Sequence, residues 1–341
     1  TYGLGPLVEQ MGAALAADSP YLPSQLYYAG CARLLADDED GAFVHFNRLK
    51  PLLAARRDSL PIGADDRFNI AWRQATLVED GDYPDTLDAA RLAAAAARLP
   101  AMENLGQWGD GGGAAFVLLA ACDGRYLERF GADYLRSVAA MGQGVALHLH
   151  VVEPVAEVVA AIAAKAAGGA VPLTLTAEAA RPWRGGAYYA SARFLVAAEV
   201  VARNGGKPVM ITDIDVEFLR PPAELAELAR PFAFASFVHR SGIGPGSRLP
   251  AVWTWFAGAD GAAMLDALRR IVLSKLDVPW PHNWMLDQAA LMTARRWLRR
   301  HRPDAAIAEI NRLCGRYFPD FLACRGDADD KAALIRAAGQ G

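Results

Sequence analysis

Asp213, Ile214 and Asp215 follow the apolar run Val209-Met210-Ile211-Thr212 and precede Val216-Glu217-Phe218-Leu219-Arg220-Pro221-Pro222. Two carboxylates two residues apart at the end of an apolar strand share one side of the chain, while the residue between them turns to the core. Oxygen ligands of this kind suit a hard divalent cation. Magnesium or manganese takes one or two protein carboxylates and fills the rest of its shell with water and phosphate oxygens, so the triplet reads as a site for Mn2+ or Mg2+ with Asp213 and Asp215 as the metal ligands. Such a cation would neutralise a departing diphosphate. The competing use of the triplet is a solvated surface turn, against which its place directly after Val-Met-Ile-Thr argues.

Other candidates carry less. His148 and His150 alternate along an apolar run and so share a face, but no acid or cysteine stands near them at ligand spacing, and a structural pair is expected. Gly242-Ile-Gly244-Pro-Gly246 precedes no helix pattern and is no dinucleotide fingerprint; it reads as a mobile loop. The chain has no Gly-x-Ser-x-Gly elbow and no P-loop.

The elements that must position these residues come from the periodicity. Apolar runs of strand length at Ala115–Ala121, Val145–Val152, Val171–Thr176, Val209–Thr212, Phe232–Phe237 and Ala251–Phe256 alternate with helical stretches such as 125–140 and 190–203. That alternation predicts a mainly parallel α/β sheet, in which ligands bind beyond the carboxyl ends of the strands. Upstream, residues 20–100 are helix-periodic: Leu26, Ala29, Ala32, Leu34 and Leu35, then Ala42, His45, Phe46 and Leu49 beyond Gly41, predict a helical hairpin. Further helices are expected from Phe68, Ile70, Ala71, Ala75 and Leu77 and from Leu87 to Leu99. The Gly-rich stretch 106–113 marks a boundary, giving a helical, repeat-like domain over 1–108 and an α/β domain over 109–341. The alternative for the first part is a plain helical extension capping the second.

Composition sets limits. At 341 residues the chain has room for two domains, and 53% hydrophobic with 21% charged residues describes a globular protein. A net charge of -3 gives no electrostatic reason to expect nucleic acid as a partner. Cys31, Cys122, Cys314 and Cys324 form no CxxC pair, which fits a reducing, cytoplasmic setting. No window reaches the roughly 18 apolar residues of a membrane span, so no transmembrane segment is expected. The chain opens at Thr1 without a leader pattern, and a piece of a longer protein is expected.

Four segments, in order, resemble the A-type (GT-A) family of metal-dependent, nucleotide-sugar glycosyltransferases. Phe116 to Tyr126 is similar to that family's first strand and nucleotide-base loop. Tyr188-Tyr-Ala-Ser-Ala-Arg193 resembles the helix that sends a cation toward the donor, Asp213-Ile-Asp215 resembles the Asp-x-Asp motif, and Trp284-Met-Leu-Asp287-Gln288 resembles the late Asp-Gln pair. The resemblance implies a GT-A-like, mainly parallel Rossmann-like sheet flanked by helices, here preceded by an all-helical, loosely tetratricopeptide-like domain. It implies a nucleoside diphosphate sugar donor, by preference a UDP-sugar, a divalent cation, and sugar transfer with retention slightly favoured over inversion. Donor contacts are then expected from Ala121, Cys122, Asp123, Tyr126, Arg193 and Asp213, with Asp287 and Gln288 at the reacting sugar. Tyr126, Arg193 and Asp287 also have plain structural uses, as a packed ring, a surface cation and a charge at a helix N-terminus.

One departure matters. Relatives with a late His-x-x-Gly ligand contrast with Leu322-Ala-Cys324-Arg325-Gly326-Asp-Ala-Asp-Asp-Lys331, which has no histidine. Cys324 is too soft a ligand for magnesium, and either Asp327 or a water takes the missing place, or Arg325, the Gly326 backbone and Lys331 meet the diphosphate directly. His239, Arg240, Trp253, Trp255, His282 and Trp284 are candidates for the acceptor side, the aromatic ones having the core as their other use. The helical domain suggests a protein or peptide acceptor. Two rivals stay open: a non-catalytic interaction protein retaining a nucleotide-sugar pocket, and a nucleotide-sugar hydrolase or nucleotidyltransferase.

Overall fold

The computed structural model describes residues 18–55, 74–106, 113–142, 144–167, 171–183, 186–239, 244–276 and 285–326, with residues 10, 15, 16 and 169. Phe68, Ile70, Ala71, the 107–112 boundary, Arg240, Gly242, His282, Trp284 and Lys331 lie outside the described residues. A mixed, mainly parallel sheet forms the middle of the molecule, with helices on both faces and a helical pair ahead of it, as the periodicity predicts.

Strands β1 (Glu103–Asn104), β2 (Phe116–Asp123), β3 (Val145–Val152), β4 (Leu173–Glu178), β5 (Val209–Thr212), β7 (Phe234–Ser236), β8 (Trp253–Phe256) and β9 (Ile307–Glu309) lie in the order β1-β4-β3-β2-β5-β8-β7-β9. The run β4-β3-β2-β5 is parallel, and β8 sits antiparallel between β5 and β7. β8, together with the short edge strand β1 that pairs antiparallel with β4, makes the sheet mixed. A separate antiparallel ribbon joins β6 (Val216–Phe218) to β10 (Leu322–Cys324). Every residue of β3 is buried, as is β2 up to its last residue, because both faces of the sheet are covered.

Odd and even positions serve different cores. Phe116, Leu118 and Ala120 of β2, with Val145, Leu147 and Leu149 of β3, pack under α4 (Gly124–Met141), α5 (Ala156–Ala167) and α7 (Pro222–Ala229). The apolar positions Leu127, Phe130, Tyr134 and Val138 place one face of α4 on the sheet. Val117, Leu119 and Ala121 face the other way, toward α6 (Gly186–Arg203), α8 (Gly258–Leu276) and α9 (Leu286–His301).

The helical pair α1 (Leu22–Leu35) and α2 (Glu39–Ala55) packs closely at Gly30, where an added Cβ would lie 2.5 Å from Phe46 Cε1. With α3 (Ala89–Ala96) it belongs to the same apolar cluster as α6, α8 and α9. Polar contacts reinforce the joint. Glu39 bonds the buried Arg295, Arg296 lies 3.6 Å over the Phe43 ring, and Trp297 donates to Asp85 at 2.6 Å. No helix among the described residues is long and apolar enough to cross a membrane.

Candidate active site

β5 ends at Thr212, whose hydroxyl meets that of Tyr134 on α4 at 2.7 Å. The next residue is Asp213, at the carboxyl end of a central parallel strand. Ile214 is buried in the α4-side core and pins the turn, so Asp213 and Asp215 are fixed on either side of an apolar anchor. Asp215 is buried at 4% exposure, whereas the Asp213 side chain keeps 29%.

Arg193 brings the late acid to this turn. It projects from α6, is 3% exposed, and bonds Asp213 through Nη1 and Asp287 Oδ2 through Nη2, the latter at 2.9 Å. A surface cation would not be buried, so that use of Arg193 is excluded. Asp287 stands in the first turn of α9 and is itself 5% exposed. Burial pushes its carboxyl up to about 6, against the pull of Arg193 and of the Gln288 and Asp287 backbone N–H groups. Asp213, Asp287 and Asp215 all act on Arg193 and raise the guanidinium against the lowering by burial. One cation therefore faces three carboxylates. The group carries excess negative charge, which a divalent cation would neutralise, and its hard oxygen donors fit magnesium or manganese. Among the described residues no three His, Cys, Asp or Glu side chains stand ready to hold an ion; Asp213 and Asp215 are the two carboxylates that would hold one, the remaining shell being left to water and phosphate.

Strand β2 ends beside this group, Ala120 pairing with Thr212. Ala121 and Cys122 are buried, and burial first, with Asp123 and Asp215 adding to it, holds the Cys122 thiol protonated. Asp123 Oδ1 accepts from Tyr126 N at 2.8 Å and caps α4. The half-buried Tyr126 ring packs on Phe130, 5.3 Å between centroids. Gly124 is required here: a Cβ would lie 2.6 Å from the Glu153 carbonyl oxygen, so the β2–α4 turn rests on the end of β3.

Sequence reasoning missed the acids at the ends of the next two strands. Glu153 follows β3 in a left-handed conformation, φ 53°, and accepts from the Tyr189 hydroxyl at 2.6 Å. Glu178 closes β4, bonds the Tyr188 hydroxyl and stands 3.4 Å from His150 Nε2. It is the acid that the neighbourhood of His148 and His150 lacks in sequence. His148 sits between the hydroxyls of Thr174 and Thr176 at 2.7 and 2.9 Å, and burial pushes it down to about 3, so it stays neutral. The rule that singled out Asp213, a polar residue just after an apolar run, also points to Glu153 and Glu178; each lacked a second acid beside it.

The C-terminal segment returns to the site through the β6–β10 ribbon. Arg325 N donates to the Asp215 carbonyl at 2.7 Å, which sets Arg325 and Gly326 beside the acidic turn. The Arg325 guanidinium pairs with Glu217, Nε to Oε2 at 2.7 Å. Gln288 is partly exposed next to Asp287. Trp253 and Trp255 are buried under the sheet, so the acceptor-side role considered for them gives way to the core; His239 is exposed.

No family model and no curated protein matches the chain. Solved structures do. The glycosyltransferase GlyE of Streptococcus pneumoniae TIGR4 aligns at 14% identity and TM-score 0.38 over 57% of this chain and 45% of its own. The galactosyltransferase LgtC, in complex with donor and acceptor sugar analogs, aligns at 17% and 0.36 over 52% and 70%, and the bifunctional WbbM at 12% and 0.41 over 69% and 45%. The chain thus spans less than half of two of these proteins. At such scores the likenesses carry no functional assignment.

Chemically, the carboxyl edge of the sheet offers a buried guanidinium bonded to two carboxylates, with Asp215 and the turn at the end of β2 adjoining.

Proposed function

We propose that the chain is a metal-dependent glycosyltransferase of the GT-A type, moving a sugar from a nucleoside diphosphate donor, by preference a UDP-sugar, to an acceptor. The observation that carries this reading is Arg193, buried between Asp213 at the end of β5 and Asp287 at the start of α9. A divalent cation on Asp213 and Asp215 would supply charge neutralisation for the leaving diphosphate. Arg193 holds Asp287 in place, and Asp287 with Gln288 takes the hydroxyls of the transferred sugar. Ala121, Cys122, Asp123 and Tyr126 border the nucleoside, while Arg325 and Gly326 meet the diphosphate from the ribbon side; Lys331 is assigned to the diphosphate from the sequence alone.

Apolar exposure on α1 supports a polypeptide acceptor. Tyr21 at the N-cap of α1, and Tyr28 and Leu35 within it, are spaced by seven and are 72%, 47% and 43% exposed. Transfer to a candidate polypeptide that is unchanged by Tyr28→Asp and Leu35→Asp would remove this face from acceptor binding.

The donor reading is tested by a thermal-shift panel of UDP, GDP, CDP and their sugar conjugates, with and without manganese. Ligand stabilisation grows by about 1.4 kcal/mol per tenfold excess over Kd, so a micromolar donor is readily seen. A manganese-dependent shift with one nucleotide family, lost in Asp213→Ala/Asp215→Ala, is expected. No shift with any nucleotide would favour the non-catalytic interaction protein.

A further inference from the structure

The β6–β10 ribbon has two ends. The pair Cys324–Val216 adjoins Asp215, and the pair Leu322–Phe218 lies at the far end. There, between α7 and the segment 314–321, an open cleft of about 670 Å3 is lined by Leu228, Ala223, Phe321 and Cys314. Its volume falls within the roughly 300–1,000 Å3 typical of small-ligand sites. Phe321 is 2% exposed and belongs to the core, so it backs the cleft from beneath. Three large apolar side chains, Leu219, Leu313 and Tyr317, are 45%, 49% and 55% exposed, and each is next in sequence to a residue lining the cleft.

Charge gives the cleft a polarity. Arg220 is paired with Glu224 at 2.5 Å and stacks over Phe321, and Glu227 stands 3.6 Å from Arg230. Arg316, exposed beside the apolar floor, has no ion pair among the described residues. The cleft therefore combines an apolar floor with one uncompensated guanidinium, a group whose planar fork matches phosphate and carboxylate.

We propose that this cleft is a binding site for an amphipathic anion, with the apolar chain on the partly exposed Leu228 and Ala223 and the phosphate or carboxylate head on Arg316. The site is separate from the Arg193 centre and does not depend on the donor reading.

Cys314 reports on occupancy, because its thiol lines the cleft while Cys31 and Cys122 are buried. In a Cys324→Ser background, the rate of Cys314 alkylation by N-ethylmaleimide is followed against dodecyl phosphate below its micelle concentration, inorganic phosphate, and dodecyltrimethylammonium. Dodecyl phosphate is expected to protect Cys314 saturably, and Arg316→Glu to raise the half-protecting concentration about tenfold or more. Inorganic phosphate and the cationic amphiphile are expected to protect little at the same concentrations. Equal protection by the cationic amphiphile, protection by phosphate alone, indifference to Arg316→Glu, or no protection at all would each overturn the proposal. Arg316 is exposed, so its variant keeps the fold.

Discussion

Arg193 Nη2 bonds Asp287 Oδ2 at 2.9 Å across 94 positions of sequence, and its other arm bonds Asp213. One side chain thus holds together the end of β5 and the start of α9. Removing it leaves two acids uncompensated. Arg193→Ala is expected to cost about 3–5 kcal/mol in chemical unfolding, the usual penalty for breaking a buried pair. Arg193→Lys, a point charge without the two-armed fork, should recover only part of that loss. A variant as stable as the wild type would show that the bridge contributes nothing to the fold.

Asp287 gives a pH signature. Its carboxyl is pushed from 3.8 to about 6 by burial, so the folded state binds its proton more tightly than the unfolded chain does. The associated stability is fully present below about pH 4 and is lost as pH rises through about 6, a loss on the order of 3 kcal/mol. Asp287→Asn should remove that slope and unfold no more easily than wild type at pH 8. The check is urea unfolding of both proteins from pH 4.5 to 8; identical pH slopes would contradict it. Transfer by Asp287→Asn at the wild-type rate would remove Asp287 from the chemistry.

The helical pair is tied to α9 by Glu39, which bonds the 1%-exposed Arg295. Arg295 is already lowered to about 9 by burial, with Arg299 and Arg296 adding to the effect. Glu39→Ala should therefore cost about 3–5 kcal/mol and lower a single melting transition shared with the α/β part. A split into two transitions, with only the first one shifted, would mean that the helical pair melts alone.

Gly124→Ala would put a methyl 2.6 Å from the Glu153 carbonyl and 3.1 Å from Val155 N. Backbone cannot yield there as a flexible side chain would, so a loss of about 1–3 kcal/mol is expected, read from the denaturation midpoint. Because the turn carries Asp123, nucleotide affinity should fall as well. Unchanged stability and affinity would show that the turn is free to move.

Much of this was legible in sequence. The strands appeared as apolar runs because burial on both faces removes the need for alternation, and Asp213 stood out because two acids closed such a run. Arg193 was found only through the order of motifs, since nothing local distinguishes a buried arginine from one on a helix surface. Glu153 and Glu178 escaped because their partners, Tyr189 and Tyr188, lie 36 and 10 residues away and meet them only once β3, β4 and α6 are assembled. The antiparallel placement of β8 was equally hidden, because strand direction leaves no trace in an apolar run of four residues.

The central claim is that Asp213 and Asp215 hold a divalent cation together with a nucleoside diphosphate. The most direct measurement is the electron paramagnetic resonance of free Mn2+ titrated with the protein, with and without UDP. The expected result is loss of the free-ion signal at about one ion per chain, tighter with UDP, and no loss in Asp213→Asn/Asp215→Asn. Equal manganese uptake by the double variant, or no uptake by the wild type even with UDP, GDP or CDP present, would contradict it.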